Sequence, residues 1–165
     1  MTGPVRWLDE DELATWLSWL RLSTELPAAL NRQLQAESEL TLQDYDVLVQ
    51  LSEAPGRRLR ISALARAIHW ERSRLSHHVK RMESRGLVRR VACEDDGRGN
   101  FVALTPAGSS ALDQAATGHV RTVRDLFFGA LDPGERRLLD ELTAKMLARI
   151  RAGAPTGGDG TDADD

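Results

Sequence analysis

The sequence predicts a mainly α-helical chain that carries one small β-hairpin. Apolar residues recur at helical spacing along most of the 165 residues, and the period shortens to an alternation between residues 87 and 105. Apolar residues make up 41% of the chain, which is enough for a core, and the length fits one compact domain. The expected order is two helices, two short helices, the hairpin, and two long amphipathic helices.

The first helix is predicted from its start signal and from the leucine and tryptophan residues that follow at helical spacing. Asp9 is the predicted N-cap because Glu12 stands three residues later, as in a capping box. Pro27 lies inside the apolar pattern, so we expect it to kink the helix or divide it in two. A second helix is expected to begin after Thr41 and to stop at the APG sequence of residues 54–56.

Two short helices are expected next, separated by a turn at residues 69–71. Ser62 is a candidate N-cap for the first of them. In the second, Leu75, Val79 and Met82 fall at i, i+4 and i+7, which places them on one apolar side. A short helix, a tight turn and a second helix in this order are typical of a helix-turn-helix unit.

A β-hairpin follows the second short helix. Residues 87–93 and 101–105 read as strands, and residues 94–100 form the turn between them. Arg98 stands at the tip between two glycines, where its guanidinium can approach the negative potential of a DNA minor groove. Asp96 stands two residues earlier and can hold the arginine or the turn by a charge-assisted hydrogen bond.

Two long helices complete the predicted fold. Pro106 after Thr105 is a strong helix start, because proline is preferred at the first helical position. Gly129 lies near the end of this helix. The DPGE sequence of residues 132–135 starts the last helix with a cap, a proline and an acidic third residue. From residue 153 the chain is acidic and poor in apolar residues, which predicts disorder.

Positive charge is concentrated in the middle of the chain. The formal net charge is −3, yet residues 57–100 hold twelve Lys or Arg against five Asp or Glu, a local balance of about +7. The rest of the chain then carries about −10. A basic module inside an acidic chain indicates that one surface meets a polyanion while the rest avoids it.

The second short helix carries a basic side. When Leu75, Val79 and Met82 are set on the buried side, the opposite side and its flanks hold no acidic residue. Such a helix fits a DNA major groove, where Arg can bond two guanine acceptors and Ser or His can reach base edges or phosphates. The residues on this side and its flanks are Ser73, Arg74, Ser76, His77, Lys80, Arg81 and Ser84.

The element order and two local sequences resemble the MarR family of bacterial transcriptional regulators. The sequences are ESRGLV at residues 83–88 and DGRGNFVALT at residues 96–105, which is followed by PAG. The family's hairpin commonly shows an Asp-x-Arg pattern and then Val-x-Leu-Thr. The matching residues here are Asp96, Arg98, Val102, Leu104 and Thr105. The resemblance spans about residues 10–150.

The resemblance implies a winged helix-turn-helix in each subunit of a homodimer that binds a pseudo-palindromic operator in double-stranded DNA as a ligand-responsive repressor. It implies a dimerisation helix at residues 1–36, a DNA-binding domain at 37–106 and dimerisation helices at 107–152. Composition, and not the resemblance, predicts a disordered acidic tail at 153–165. The implied DNA contacts are Ser73, Arg74, Ser76, His77 and Arg81 on the helix and Arg98 on the wing, with Lys80, Arg72 and Ser62 as further candidates.

Cysteine and histidine residues raise other hypotheses. Cys93 is the single cysteine, so an internal disulfide is excluded. An alternative hypothesis is a redox sensor that acts through this thiol, although Glu94 and Asp95 beside it disfavour a thiolate.

His77 and His78 are adjacent and do not share a helix face, so no metal site is predicted. Many members of the family carry Arg and an apolar residue at these two positions. The base preference of those relatives therefore cannot be assigned to this chain.

A further alternative is a winged-helix module that docks an acidic protein partner. No phosphate loop or nucleophile–base pair stands in the sequence, so we expect neither a cofactor nor an enzyme. No apolar run approaches the roughly 20 residues that cross a bilayer, and no signal peptide is visible, so the sequence predicts a cytoplasmic protein without membrane contact.

Aromatic residues crowd the N-terminus at Trp7, Trp16 and Trp19. They predict dimer packing or, alternatively, a ligand pocket. In the family, effectors often lie between the first helix and the DNA-binding lobe, near the long penultimate helix. The loose candidates for such a pocket are Trp19, Arg21, Leu22, Tyr45 and His119.

Overall fold

The computed structural model describes residues 6–92 and 100–153, which form six α-helices and a three-stranded sheet. Cys93, Arg98 and the predicted tail after residue 153 lie outside the described residues. The helices are α1 (Glu10–Ser38), α2 (Leu42–Glu53), α3 (Ile61–Ala67), α4 (Arg72–Ser84), α5 (Pro106–Val123) and α6 (Pro133–Gly153). The strands are β1 (Arg58–Arg60), β2 (Val88–Ala92) and β3 (Asn100–Leu104).

The first helix, α1, is continuous from its predicted cap through Pro27. The Glu12 N–H donates to Asp9 Oδ1 at 2.9 Å, and the Asp9 N–H donates to Glu12 Oε2 at 3.0 Å, which confirms the capping box. The prediction that Pro27 could divide the helix is wrong. A proline removes one backbone hydrogen bond, and the turns on either side remain in one helix that packs on α5, with Leu34 fully buried.

The strand β1 is absent from the sequence-based prediction, and it changes the start of α3. It pairs antiparallel with β3 along its whole length. The chain passes directly from Arg60 into α3 at Ile61, whose side chain is buried. The prediction of Ser62 as N-cap is therefore wrong, because the backbone is already helical at that residue and Arg60 holds the cap position.

The predicted hairpin is confirmed as β2 and β3. They pair antiparallel, with Val88 opposite Leu104 and Val91 opposite Phe101. The sheet order β1-β3-β2 places β3 in the centre. Gly86 makes the turn from α4 into β2 at a φ of 74°, in the left-handed region that glycine adopts without a Cβ clash.

The core joins one side of α4 to α2, α3, the sheet and α5. Leu75, Val79 and Met82 of α4 are all 0% exposed, which confirms the predicted buried side. Because these three side chains fix the helix against the core, the opposite side of α4 faces outwards. The other fully buried apolar residues include Leu34, Leu40, Val47, Leu48, Leu51, Leu64, Val88 and Val102.

The start of α5 is held against the turn between α4 and β2. Thr105 is the predicted N-cap, and its Oγ1 accepts the Gly108 N–H at 2.9 Å. The same hydroxyl lies 2.6 Å from the Gly86 carbonyl oxygen, to which it donates. A Cβ on Gly108 would collide with the Leu87 carbonyl oxygen, so glycine permits this close approach of helix and strand.

The helix α5 ends in a π-helical turn, Arg124–Phe128, which stops at Gly129 as predicted. Asp132 Oδ1 then accepts the Glu135 N–H at 2.9 Å, and Glu135 Oε2 accepts the Asp132 N–H at 2.8 Å, which confirms the cap of α6. No residue of α6, every one of which is described, is buried.

Large exposed apolar side chains are confined to the two ends of the described chain. Every large apolar residue whose described side chain is exposed lies before residue 23 or after residue 119. The start of α1 and the end of α6 enclose an open groove of about 810 Å³, walled by Trp16, Trp19, Met146 and Ile150 among others. Within the described ranges, no helix is both long and apolar enough to cross a membrane.

Candidate nucleic-acid interface

The outward side of α4 brings most of the predicted contact residues together. The exposed side chains here are Arg72, Ser73, Arg74, His77, Lys80 and Arg81. Ser76 is half-buried on the same helix, and Ser62 is half-buried on α3. The structure thus presents a continuous row of hydroxyl, imidazole and cationic groups on one helix, which is the chemistry needed to contact base edges and phosphates.

The carboxylate of Glu83, near the end of α4, is engaged by the hairpin. The Arg90 N–H donates to Glu83 Oε1 at 2.9 Å, and Arg90 Nε lies 3.8 Å from Oε2. Arg90 Nη2 also donates to the Ser76 carbonyl oxygen at 2.9 Å. These contacts tie β2 to α4 and offset a negative charge close to the basic side.

The strand β1 adds two cations beside the hairpin. The guanidinium carbons of Arg58 and Arg60 each lie 5.3 Å from the centroid of the Phe101 ring on β3. Cation–π contacts of this kind attract a guanidinium to the face of an aromatic ring. The edge of the sheet therefore carries oriented positive charge beside the hairpin.

Aromatic rings support the flank of α4 on which Arg74 lies. The Arg74 guanidinium carbon stands 4.2 Å from the centroid of Trp70, a half-buried residue just before the helix. Trp70 meets the His78 ring edge-on, with centroids 5.3 Å apart and an interplanar angle of 80°. His78 is 7% exposed and lies towards the packed side, whereas His77 faces outwards, so the two rings do not share a helix face, as predicted.

A buried carboxylate on α2, Asp44, lies beside His78 of α4 and Arg85, the residue that follows α4. It is 2% exposed, and Arg85 Nη1 donates to its Oδ2 at 2.7 Å. His78 Nε2 lies 3.0 Å from its Oδ1, with the ring N–H directed off the line between the two atoms. Arg85 Nη2 donates to the Glu39 carbonyl oxygen at 2.7 Å, so one cluster joins the end of α1, the start of α2 and the end of α4.

The contacts around Asp44 keep its carboxyl group ionised. Burial by itself raises the pKa of this carboxyl, but contacts from His78, the Thr41 N–H and Arg85 outweigh burial and hold the pKa well below its usual range. Asp44 is therefore a permanent anion near neutral pH, and it fixes the donors that face it.

Asp44 and Arg85 are missing from the predicted site residues. The sequence marks Asp44 as an acid in the first turn of α2 and Arg85 as part of a helix end. Their hydrogen bond spans 41 positions of the chain, and no local pattern connects residues so far apart. The tertiary fold, which places the start of α2 beside the end of α4, brings them together.

A separate cavity of about 760 Å³ lies beside α5. Tyr45 and His119, two of the loose pocket candidates, share its wall with ring centroids 4.3 Å apart. The other candidates do not join them: Trp19 lines the groove against α6, and Arg21 and Leu22 are exposed on α1.

The cavity combines apolar walls with cations. His119 Nδ1 is buried and has no hydrogen-bond partner among the described residues. Burial lowers the pKa of His119, which favours the neutral ring near pH 7. In the described part of the chain, no group of three or more His, Cys, Asp or Glu side chains is placed to hold a metal. The remaining lining residues include Val49, Val120, Val123, Arg124, Phe128 and Arg136.

Known proteins share both the sequence and the fold of this chain. Residues 38–99 match a model of the MarR family. The transcriptional regulator HosA of Escherichia coli is 35% identical over 109 residues, which cover 66% of this chain and 78% of that protein.

Two solved structures extend the similarity over nearly the whole chain. AbsC, a MarR family transcriptional regulator from Streptomyces coelicolor, is 39% identical with a TM-score of 0.84, covering 90% of this chain and 99% of that one. Sco3205, a MarR family regulator from the same organism solved in complex with DNA, is 38% identical with a TM-score of 0.87, covering 96% and 97%. The winged helix-turn-helix prediction is thereby confirmed, and the chain belongs to the MarR family of transcriptional regulators.

Proposed function

We propose that the protein is a sequence-specific, ligand-responsive repressor that binds a pseudo-palindromic operator as a homodimer. The observation that carries the proposal is the outward side of α4, where exposed cationic, hydroxyl and imidazole groups stand together and the nearby Glu83 is held by Arg90. The complex of Sco3205 with DNA supports it, because that relative is 38% identical over nearly the full length.

In the proposed complex, α4 enters the major groove and the hairpin reaches the adjacent minor groove with Arg98. Arg74 is a base-reading candidate because a guanidinium can donate two hydrogen bonds to guanine. Arg58 and Arg60 are suited to phosphate contacts from the edge of the sheet, which position the protein without reading sequence.

The homodimer is proposed from the exposed apolar side chains at both ends of the chain. The helix α6, described in full, has no buried residue, and its exposed apolar side chains include Leu138, Leu142, Met146 and Ile150. Large contiguous apolar patches on a folded chain mark interaction sites. The same proposal assigns residues 1–36 and 107–152 to dimerisation and residues 37–106 to DNA binding.

The effector site is proposed in the cavity beside α5. Its apolar walls suit an aromatic or aliphatic ring, and Arg124 and Arg136 suit a carboxylate on that ring. The π-helical turn at Arg124–Phe128 lies in the wall, and such turns occur frequently at functional sites. A ligand there contacts α2 and the end of α5 at once, and can change the spacing of the two DNA-binding lobes with a coupling of about 1–3 kcal/mol.

Arg74→Ala is expected to relax the base preference of the protein at one base pair in each half-site, by about 1–3 kcal/mol of discrimination. Selection from randomised duplexes measures this directly. Arg121→Ala, which removes an exposed arginine from α5, is the matched control and should leave the preference unchanged. If the Arg74 variant selects the same sequence with the same stringency, Arg74 does not read a base.

Benzoate, the simplest aromatic carboxylate, is expected to stabilise the protein by about 1.4 kcal/mol at ten times its Kd. Val120→Trp fills the cavity from the α5 side and should abolish this stabilisation. Thr117→Trp, at an exposed position of α5 that does not line the cavity, is the control and should keep it. Thermal unfolding with and without benzoate measures the effect, and equal stabilisation of both variants would place the ligand elsewhere.

A further inference from the structure

The buried flank of α4 holds an imidazole that joins Asp44 to Arg81. His78 Nε2 lies 3.0 Å from Asp44 Oδ1, and His78 Nδ1 lies 2.9 Å from Arg81 Nη2. His78 is buried, whereas Arg81 is exposed on the side of α4 proposed to face DNA. The ring therefore connects a permanent anion inside the lobe to a cation on its outer surface.

The chemistry of Arg81 fixes the tautomer of His78. A guanidinium can only donate hydrogen bonds, so Nδ1 must accept with its lone pair and carries no proton. The ring proton is then on Nε2, next to the Asp44 carboxylate, which favours it there. Asp44 thus selects the tautomer that presents an acceptor to Arg81.

Neighbouring side chains hold the ring in place. Trp70 packs edge-on against His78, and Arg74 stacks over Trp70. Arg74, His78 and Arg81 fall within roughly 60° of one another around the helix axis. Two guanidinium groups on the same flank of α4 are therefore oriented by one pair of packed rings.

We propose that His78 is a positioning residue for DNA binding: in its Nε2-protonated tautomer, selected by Asp44, it orients the Arg81 guanidinium for contact with the operator. The proposal rests on the proposed function. An arginine that is already held loses less side-chain freedom on binding than one that moves freely, so the hydrogen bond to His78 adds to operator affinity without touching DNA.

Two amide variants separate the acceptor from the rest of the ring. In His78→Asn, the amide oxygen lies near the position of Nδ1 and can accept from Arg81. In His78→Gln, the amide reaches the position of Nε2 and can contact Asp44, but no acceptor remains near Nδ1. Both variants lose the ring contact with Trp70, so packing does not separate them. The contact with Asp44, which only His78→Gln keeps, favours that variant and therefore works against the expected order of affinities.

Operator affinity is expected to fall roughly three- to tenfold in His78→Gln and to stay within about twofold of wild type in His78→Asn. In the Arg81→Ala background, His78→Gln should cause no further loss, because the two residues act through one contact. Urea unfolding of each variant provides the stability for comparison. Equal affinities for the two His78 variants, or a loss that follows stability instead of the acceptor, overturn the positioning role.

The tautomer can be measured on the wild-type protein by NMR of the ¹⁵N-labelled histidine rings, with His78→Asn used to assign the signal. The expected result is a protonated Nε2 and an unprotonated Nδ1, and the opposite tautomer contradicts the proposal. Wild-type protein that lacks sequence-specific binding contradicts the proposed function. Normal wild-type binding with equal affinities for the two His78 variants contradicts the positioning role alone.

Discussion

Leu142→Glu is expected to convert the protein to a monomer and to lower its operator affinity by a factor of roughly 10²–10⁴. Leu142 is 47% exposed on α6, on the apolar side that it shares with Leu138 and Met146. A carboxylate at this position would have to be desolvated against the second copy, which is unfavourable without a partner charge. A monomer contacts one half-site and loses the gain that comes from linking two binding events.

Ala144→Glu is the matched control for this variant. It adds the same carboxylate to the same helix, at an exposed position roughly 200° around the axis from residue 142. Light scattering at micromolar concentration and a gel-shift titration should show a dimer with wild-type affinity for the control. If Leu142→Glu also stays dimeric and binds normally, the apolar side of α6 is not the subunit interface.

Asp44→Ala is expected to destabilise the fold by about 3 kcal/mol. The substitution removes the acceptor for Arg85 Nη1 at 2.7 Å and for the Thr41 N–H at 3.0 Å, and leaves His78 Nε2 without its buried partner. Asp44→Asn keeps one acceptor for the helix cap and should lose less. Urea unfolding at a fixed protomer concentration measures both variants.

Glu53→Ala is the control, because it removes an exposed carboxylate from the last residue of the same helix, α2. A change within about 0.5 kcal/mol is expected for it. An Asp44→Ala variant as stable as this control would show that the buried cluster does not hold α2 to the end of α4.

The depressed pKa of Asp44 also sets a direction for the acid response. A carboxyl whose pKa is lower in the folded than in the unfolded state stabilises the fold above its ordinary pKa of about 4. That contribution to stability is lost as the pH falls from the ordinary pKa through the lower pKa of Asp44 in the folded protein. The stability difference between wild type and Asp44→Asn should therefore be constant near neutral pH and shrink in acid, and a difference that grows in acid contradicts this assignment.

Local signals in the sequence predict most of the fold. The capping residues Asp9, Thr41, Thr105 and Asp132 start four helices where the structure has them, because capping depends on residues within one turn. The buried side of α4 follows from its apolar spacing for the same reason. The outward residues of that helix are then determined by geometry, which explains why the candidate contacts lie together.

The features that the sequence did not predict depend on tertiary contacts. β1 has three residues with one apolar side chain, Leu59, so its alternation is too short to detect, and its pairing with β3 decides where α3 begins. Pro27 remains inside α1 because packing outweighs the loss of one hydrogen bond. The Asp44–Arg85 contact joins residues far apart in the chain, so no spacing rule reveals it.

Selection of bound DNA from a pool of randomised duplexes, followed by sequencing, is the decisive test of a homodimer that reads an operator with α4. We expect enrichment of a two-fold symmetric sequence whose half-sites are one helical turn apart, roughly 10 base pairs from centre to centre. Binding to this sequence should weaken steeply as salt concentration rises, since phosphate contacts release counterions. A pool without any enriched sequence, or one enriched in a single asymmetric site, would contradict a homodimer that reads DNA with α4.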